Sequence, residues 1–316
     1  MKNRKYLFAA ALCAVLLTGC GAAPVQEGSA AGSASAESAQ SETVEKIPAD
    51  GLEAFGGCEA LSLPGNLASA AATDGDFEDT SALTSFYGTS GEAWQRLLDG
   101  GLDVVLTYAP DSETEAKLKE QGVTLQPVGS DALVLLAGST EESSVTLARE
   151  EIAAAYQDSP ESWKGYASAP GTDSRKLFAQ LFGADSAGVQ VKDGEDTLTA
   201  ACPHTAGTLC YTTYLEMQEN GIPQGTSVVQ VDGVLPSAQT LTEVTSSVAY
   251  PLRAQYYLAV RSGLEENDPA MMFYRWLTSE DGMDWLAQAV DTPAVGETED
   301  TVDNTQSADE AGSGES

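Results

Sequence analysis

The sequence contains a single histidine, His204, and few basic residues, with 15 Lys and Arg against 48 Asp and Glu among 316 residues. One histidine excludes every zinc site built from several histidines. The formal net charge of −33 at pH 7 argues against nucleic acids and anionic lipid headgroups as partners, because both bind local clusters of Lys and Arg. The motifs Gly-x-Ser-x-Gly, Ser-x-x-Lys and His-Glu-x-x-His do not occur. We therefore expect no enzymatic activity, no metal and no cofactor.

The first 20 residues have the pattern of an export signal. Lys2, Arg4 and Lys5 precede an apolar run over residues 6–17, which is too short to span a membrane comfortably. The run ends in Leu-Thr-Gly-Cys at Cys20, which resembles the lipobox of bacterial lipoproteins. The resemblance implies that Cys20 is lipid-modified, and that a lipid alone anchors the exported protein to the extracytoplasmic face of the cell membrane.

The composition divides the rest of the chain into three parts. Residues 21–50 are mostly Ala, Ser, Gly and Glu, which predicts a disordered tether. Residues 291–316 are acidic with almost no large apolar side chain, which predicts a disordered tail. The fold is therefore expected within residues 51–290.

Within this part, helical and strand patterns alternate. Apolar residues at helical spacing around Trp94 precede a short apolar run at 102–107, and a predicted helix at 113–121 precedes a second apolar run at 131–137. Further helices are predicted at 147–156, 174–182, 269–277 and 283–290, and further strands at 208–212, 227–231 and 254–260. The alternation predicts an α/β fold with its binding site at the carboxyl ends of strands.

Three phrases match one family in order and spacing. They are Thr-Ser-Gly-Glu-Ala-Trp at 89–94 with Leu-Asp-Gly-Gly-Leu-Asp at 98–103, Val-Asp-Gly-Val-Leu-Pro-Ser at 231–237 with Tyr-Pro-Leu at 250–252, and Trp-Leu-Thr-Ser-Glu-Asp-Gly at 276–282. Together they resemble the substrate-binding lipoproteins of phosphate ABC transporters. The resemblance implies a two-lobed periplasmic-binding-protein type II fold with a hinge and an inter-lobe cleft. It also implies that the protein delivers phosphate or another small oxyanion to an ABC permease. Lobe 1 would comprise residues 51–137 and 250–290, and lobe 2 residues 138–249.

Backbone amides at helix N termini bind oxyanions well, and the resemblance places two such helix starts at the ligand. Thr89, Ser90 and Gly91 would open one helix in lobe 1, whereas Thr172, Asp173 and Ser174 would open another in lobe 2. Arg175 is the nearby cation, and Asn66 and Tyr108 are expected to line the cleft. Read without the resemblance, Ser90 and either Thr172 or Asp173 are helix caps.

The chain departs from the family's pattern at three positions. Asp173 stands where the family has a glycine, and its carboxylate would repel a dianion in contact with it. No arginine occurs at 166–169, and Tyr108 or Ala109 replaces an acidic residue. One alternative is therefore a surface sensor or interaction protein that kept the fold and lost phosphate binding. Another is a binder of an uncharged or organic solute, based on Tyr108 and Leu67.

The cysteines of the folded part allow two interpretations. Cys202 and Cys210 are close enough in sequence to form a disulfide across Gly207, or each remains a buried thiol. His204 lies in the same predicted turn, where a surface histidine is expected.

Overall fold

The computed structural model describes residues 47–73, 84–138, 145–157, 162–186, 189–190, 205–242 and 248–291. The predicted signal with Cys20, most of both predicted tails, Cys202 and His204 lie outside the described residues. Ile47 falls within the segment predicted as a tether, but it is buried and its amide donates to the Ala72 carbonyl. The last residues of that segment therefore belong to the fold, because the apolar side chains of Ile47 and Leu52 pack into the core.

Helices and strands alternate along the chain. The helices are α1 (Ser62–Ala72), α2 (Ser90–Leu98), α3 (Ser112–Glu120), α4 (Arg149–Ala155), α5 (Asp173–Phe182), α6 (Tyr214–Asn220), α7 (Ala238–Thr242), α8 (Pro269–Leu277) and α9 (Glu280–Asp291). The strands are β1 (Phe55–Cys58), β2 (Thr84–Tyr87), β3 (Val104–Tyr108), β4 (Thr124–Gly138), β5 (Thr146–Leu147), β6 (Lys164–Ala167), β7 (Val189–Gln190), β8 (Thr208–Thr213), β9 (Thr226–Val228), β10 (Gln230–Val231) and β11 (Arg253–Val260). Two 3₁₀ helices, Ala49–Leu52 and Glu59–Leu61, flank β1.

The predicted α/β fold class is confirmed, and the apolar runs at 102–107 and 131–137 lie in β3 and β4. Eight elements were not predicted from the sequence: α1, α6, α7, β1, β2, β5, β6 and β7. The two glycines of β1 weaken its strand signal, because glycine lacks a side chain that packs. Pro64 and Gly65 weaken the helix signal of α1, although proline is tolerated in the first turn of a helix.

The strands of the main sheet lie in the order β2-β1-β3-β11-β4-β8-β6-β7, with β9 also paired to β4. The pairs β2-β1, β1-β3, β8-β6 and β6-β7 are parallel, whereas β11 and β4 pair antiparallel with their neighbours. Strands β5 and β10 form a separate parallel pair. Each end of the main sheet is thus a parallel α/β unit, and the long antiparallel strands join the two.

Strand β4 carries the chain from one lobe to the other. Its first part, to Ala132, pairs with β11, and its second part, from Leu133, pairs with β8. The returning chain lies against the same point, because the Leu133 amide donates to the Leu252 carbonyl at 2.9 Å and the Tyr250 hydroxyl donates to the Leu133 carbonyl at 3.1 Å. The two crossings are therefore hydrogen-bonded to each other, before β4 ends at Gly138. Below, lobe 1 is the part around β2-β1-β3-β11, and lobe 2 is the part around β8-β6-β7.

Each lobe has buried aromatic residues that fix its helices. In lobe 1 Trp94 of α2 is buried and its indole N–H donates to the Tyr108 carbonyl at the end of β3. In lobe 2 the ring of Phe178 in α5 lies 4.7 Å from that of Tyr156 and 5.2 Å from that of Tyr211. Full burial of such a side chain stabilises the fold by ~1.5–3 kcal/mol, which holds the starts of α2 and α5 in place.

Candidate binding site between the two lobes

Helix α2 of lobe 1 begins with a capping box. Thr89 has extended backbone angles, and its hydroxyl oxygen accepts the Glu92 amide at 3.3 Å. The Glu92 carboxylate in turn accepts the Thr89 amide at 3.0 Å. These reciprocal bonds stabilise the helix start and leave the amide of Ser90, the first helical residue, for a partner outside the helix.

Helix α5 of lobe 2 begins without a side-chain cap. The hydroxyl of Thr172, the N-cap residue, donates instead to the Ala169 carbonyl at 3.0 Å. The hydroxyl of Ser174 donates to that of Ser168 at 3.2 Å. Gly171 precedes the cap with a φ of 92°, a conformation that favours glycine. Neither hydroxyl bond involves the side chain of Asp173, the first residue of the helix.

The two helix starts meet through Asp173. The Ser90 amide donates to both carboxylate oxygens of Asp173, at 3.0 and 2.9 Å, and both residues are only 5% exposed. The Lys176 ammonium lies 3.6 Å from Oδ1 of Asp173 and also 3.5 Å from where a Cβ on Gly91 would lie. A carboxylate from lobe 2 thus occupies the N terminus of a lobe 1 helix, where the helix dipole and an unpaired amide both favour a negative charge.

A buried thiol lies beneath this contact. Cys58 is the last residue of β1, and its Sγ is near the hydroxyls of Ser90 and Thr107. Burial, and secondly the negative charge of Asp173, raise the pKa of the thiol to about 12. Both hydroxyls are hydrogen-bonded to the thiol, and neither has a nitrogen or oxygen partner in the part of the chain that the structure describes. Two buried hydroxyls whose described partner is a weakly bonding thiol therefore lie next to Asp173.

Tyr108 ends β3, but its hydroxyl is directed to the crossing strand. It donates to Oδ2 of Asp131 at 2.5 Å, and Oδ1 of Asp131 accepts the amides of Ala132 and Leu215. Burial raises the pKa of Asp131 to about 6, despite these hydrogen bonds. Burial and the nearby Asp131 carboxylate also raise the pKa of Tyr108. The tyrosine thus joins lobe 1 to the crossing strand, and its one donor is already used.

Two other residues predicted as ligand contacts have partners within their own lobes. Arg175 donates to both carboxylate oxygens of Asp185 at 2.8 Å and also to the Ser168 carbonyl. Asn66, which was expected to line the cleft, lies in α1, and its backbone carbonyl accepts the Ser69 hydroxyl. The structure therefore brings together Ser90, Gly91 and Asp173, whereas the hydroxyls of Thr89, Thr172 and Ser174 bond within their own lobes.

A family model described as a PBP superfamily domain matches residues 62–281, which is most of the chain. The chain belongs to the PBP superfamily. The predicted two-lobed type II fold is confirmed by this match and by the solved structures.

Solved structures of PBP proteins share the fold at low sequence identity. A protein from Clostridium perfringens, assigned as a phosphate ABC transporter substrate-binding protein and solved with phosphate, is 14% identical with a TM-score of 0.56; the match covers 80% of this chain and 100% of that one. An ABC-type phosphate transport receptor from Vibrio cholerae is 11% identical with a TM-score of 0.54, covering 77% and 98%. A periplasmic protein assigned to metal binding is 16% identical with a TM-score of 0.50, covering 77% and 93%. A search of curated protein sequences found no match.

Four residues in and around this site were not predicted from the sequence. They are Cys58, Thr107, Lys176 and Asp131. The spacing of Asp173 and Lys176, three residues apart on a helix, is a signal that could have identified Lys176 as the cation beside the helix starts. The described residues contain no group of three or more side chains that could hold a metal ion. Among the helices described, none is long and apolar enough to cross a membrane.

Proposed function

We propose that this PBP protein is the membrane-anchored substrate-binding lipoprotein of an ABC importer, and that it binds phosphate or a related small oxyanion between the starts of α2 and α5. The observation that carries the proposal is the Ser90 amide, which donates to two carboxylate oxygens from the opposite lobe. A carboxylate offers the same acceptor atoms as a small oxyanion. The position therefore has the donor and the dipole that such a ligand requires.

The chemistry nearby supports an anionic ligand over an uncharged one. The Lys176 ammonium lies next to both Asp173 and Gly91, so a cation is present at the helix start that carries the amide. The hydroxyls of Ser90 and Thr107, which contact the weakly bonding Cys58 thiol, are further donors close to this position. Local donors of this kind act even in a protein with a net charge of −33, because hydrogen bonds are short-ranged and directional.

Calorimetric titration with phosphate, sulfate, molybdate and a phosphonate tests this proposal, and we expect at least one of them to bind. Ser90→Pro is the informative variant, because it removes only the amide donor and the Ser90 hydroxyl. Proline is favoured as the first residue of a helix, and the extended Thr89 (ψ 154°) suits a residue before proline. Ser90→Ala is the matched control, since it keeps the amide. Loss of binding in Ser90→Pro but not in Ser90→Ala supports the site. This comparison requires that both variants are folded. Flat titrations of the native protein with all four oxyanions reject the proposal.

The anchor and the importer are tested in cells. Intact-mass measurement of the mature protein should show a lipid on Cys20, and Cys20→Ser should release the protein from the membrane. Deletion of the gene should abolish uptake of the oxyanion that binds in calorimetry. Uptake that is unchanged would contradict the role in import.

A second function is favoured by the occupant of the site. Because the Asp173 carboxylate already fills the anion position, the protein could close without a solute and act as a surface sensor or interaction protein. On that alternative, calorimetry detects no binding of any oxyanion tested, and small-angle scattering gives the same compact dimensions with and without each of them. On the importer proposal, at least one oxyanion binds in calorimetry.

A further inference from the structure

The contact between Ser90 and Asp173 joins the two lobes without any solute. Ser90 opens α2 in lobe 1, Asp173 opens α5 in lobe 2, and both are buried. A hydrogen bond to an ionised group is stronger than one between neutral groups, and exclusion of water strengthens it further. The contact is therefore a closing interaction of the same kind that a bound oxyanion would make.

We propose that the Asp173 carboxylate is a tethered competitor of the solute, which occupies the oxyanion position, holds the lobes together in the absence of solute, and must be displaced when an oxyanion binds. This inference rests on the proposed function. It makes Asp173 the residue that sets the affinity of the site. A solute and the Asp173 carboxylate cannot both accept the Ser90 amide, and two anions in contact repel each other.

Lys176 has a second role in this scheme. Its ammonium lies 3.6 Å from the Asp173 carboxylate and 3.5 Å from where a Cβ on Gly91 would lie, and 44% of its side chain is exposed. Because the ammonium is close to both positions, it pairs with Asp173 in the solute-free protein and with the oxyanion after displacement. The exposed part of the side chain leaves room for this change without repacking of the core.

Two variants test the competition. Asp173→Gly removes the carboxylate and opens the anion position. Asp173→Asn removes the charge but keeps the size of the side chain. Its oxyanion affinity can therefore still be measured if the glycine variant fails to fold. Asp268→Asn is the matched control, because Asp268 also accepts an amide at a helix start, that of Ala270 at 2.9 Å, but within its own helix. Circular dichroism confirms that each variant is folded.

We expect calorimetry with phosphate, sulfate and molybdate to give at least tenfold tighter binding in Asp173→Gly than in the native protein, with Asp173→Asn between them and Asp268→Asn unchanged. Lys176→Gln in the Asp173→Gly background should weaken binding again. Small-angle scattering without solute should show a larger radius of gyration for Asp173→Gly than for the native protein, and phosphate should reverse the difference.

Affinities within twofold of each other in the native protein and both variants, or solute-free scattering curves that coincide, would overturn the inference. Failure of the proposed function gives a different result. If no oxyanion binds to any of the proteins while Asp173→Gly is still more open than the native protein, the oxyanion function is rejected and the closing role of Asp173 is supported.

Discussion

The hydroxyl of Tyr108 donates to the buried carboxylate of Asp131 at 2.5 Å, which links the end of β3 to the strand on which the chain crosses between the lobes. The other oxygen of Asp131 accepts the Leu215 amide at the start of α6 in lobe 2. One carboxylate thus contacts both lobes next to the crossing. Its charge state therefore matters for the stability of the whole fold.

The pH dependence of stability should show the effect of Asp131. Burial raises its pKa from 3.8 to about 6, so the folded protein binds this proton more tightly than the unfolded chain does. The contribution of Asp131 to the free energy of unfolding is therefore greatest below pH 4 and decreases as the pH rises to about 6, by up to about 3 kcal/mol. Urea denaturation should show Asp131→Asn gaining stability relative to the native protein between pH 4 and pH 7.

Asp111→Asn provides the control of opposite sign. The backbone amide of Thr114 lowers the pKa of Asp111, so this carboxylate stabilises the fold above its ordinary pKa and loses that effect as the pH falls. Asp111→Asn should therefore lose stability relative to the native protein at pH 7 and recover it in acid. Parallel pH profiles for Asp131→Asn and the native protein would contradict the assignment.

The Cys58 thiol should be unreactive in the folded protein. With a pKa of about 12, its thiolate fraction at pH 8 is lower than that of an unperturbed cysteine on the order of 10³-fold. Peptide-resolved mass spectrometry after iodoacetamide treatment should find Cys58 unmodified in buffer and modified in urea. Asp173→Asn should accelerate its modification, because a negative charge beside the thiol is removed, whereas Asp268→Asn should not. Equal rates in Asp173→Asn and the native protein would contradict this electrostatic link.

Two glycines near the site should respond differently to alanine. A Cβ on Gly57 would lie 2.1 Å from the Leu106 carbonyl oxygen of the neighbouring strand, so Gly57→Ala should lower the free energy of unfolding by about 1–3 kcal/mol. On Gly91 the nearest atom would be the Lys176 ammonium at 3.5 Å, an ordinary contact at a helical position. Gly91→Ala should therefore fold with undiminished stability in the same urea denaturation. A comparable loss for both variants would show that the start of α2 is packed more tightly than the structure indicates.

Arg175 should contribute to stability and not to affinity. It forms two hydrogen bonds with Asp185 and another with the Ser168 carbonyl, all within lobe 2. Lysine cannot reproduce the paired geometry, so Arg175→Lys should lower the free energy of unfolding by about 1–2 kcal/mol and leave oxyanion affinity within twofold of the native value. A tenfold loss of affinity in the folded variant would support the sequence-based prediction that Arg175 contacts the ligand.

The sequence predicted the α/β class, most helices and strands, and the two helix starts, because these depend on local patterns. The apolar run of β3 and the helical spacing around Trp94 are examples. The sequence did not predict the pairing of Arg175 with Asp185, although the two residues are only ten positions apart in the chain. A side chain's partner depends on how turns bring distant backbone together, and no local pattern contains that information.

The departure of Asp173 from the family's glycine was visible in the sequence, where it indicated only repulsion of a dianion. The tertiary structure decided where its charge lies: 83 positions from Ser90 in the chain, and in hydrogen-bond contact with it. The residue types at the two helix starts are fixed by the chain, and local propensity makes each of them a helix start. Whether the carboxylate opposes a ligand or takes its place depends on the closure of two lobes around one crossing strand, which only long-range packing determines.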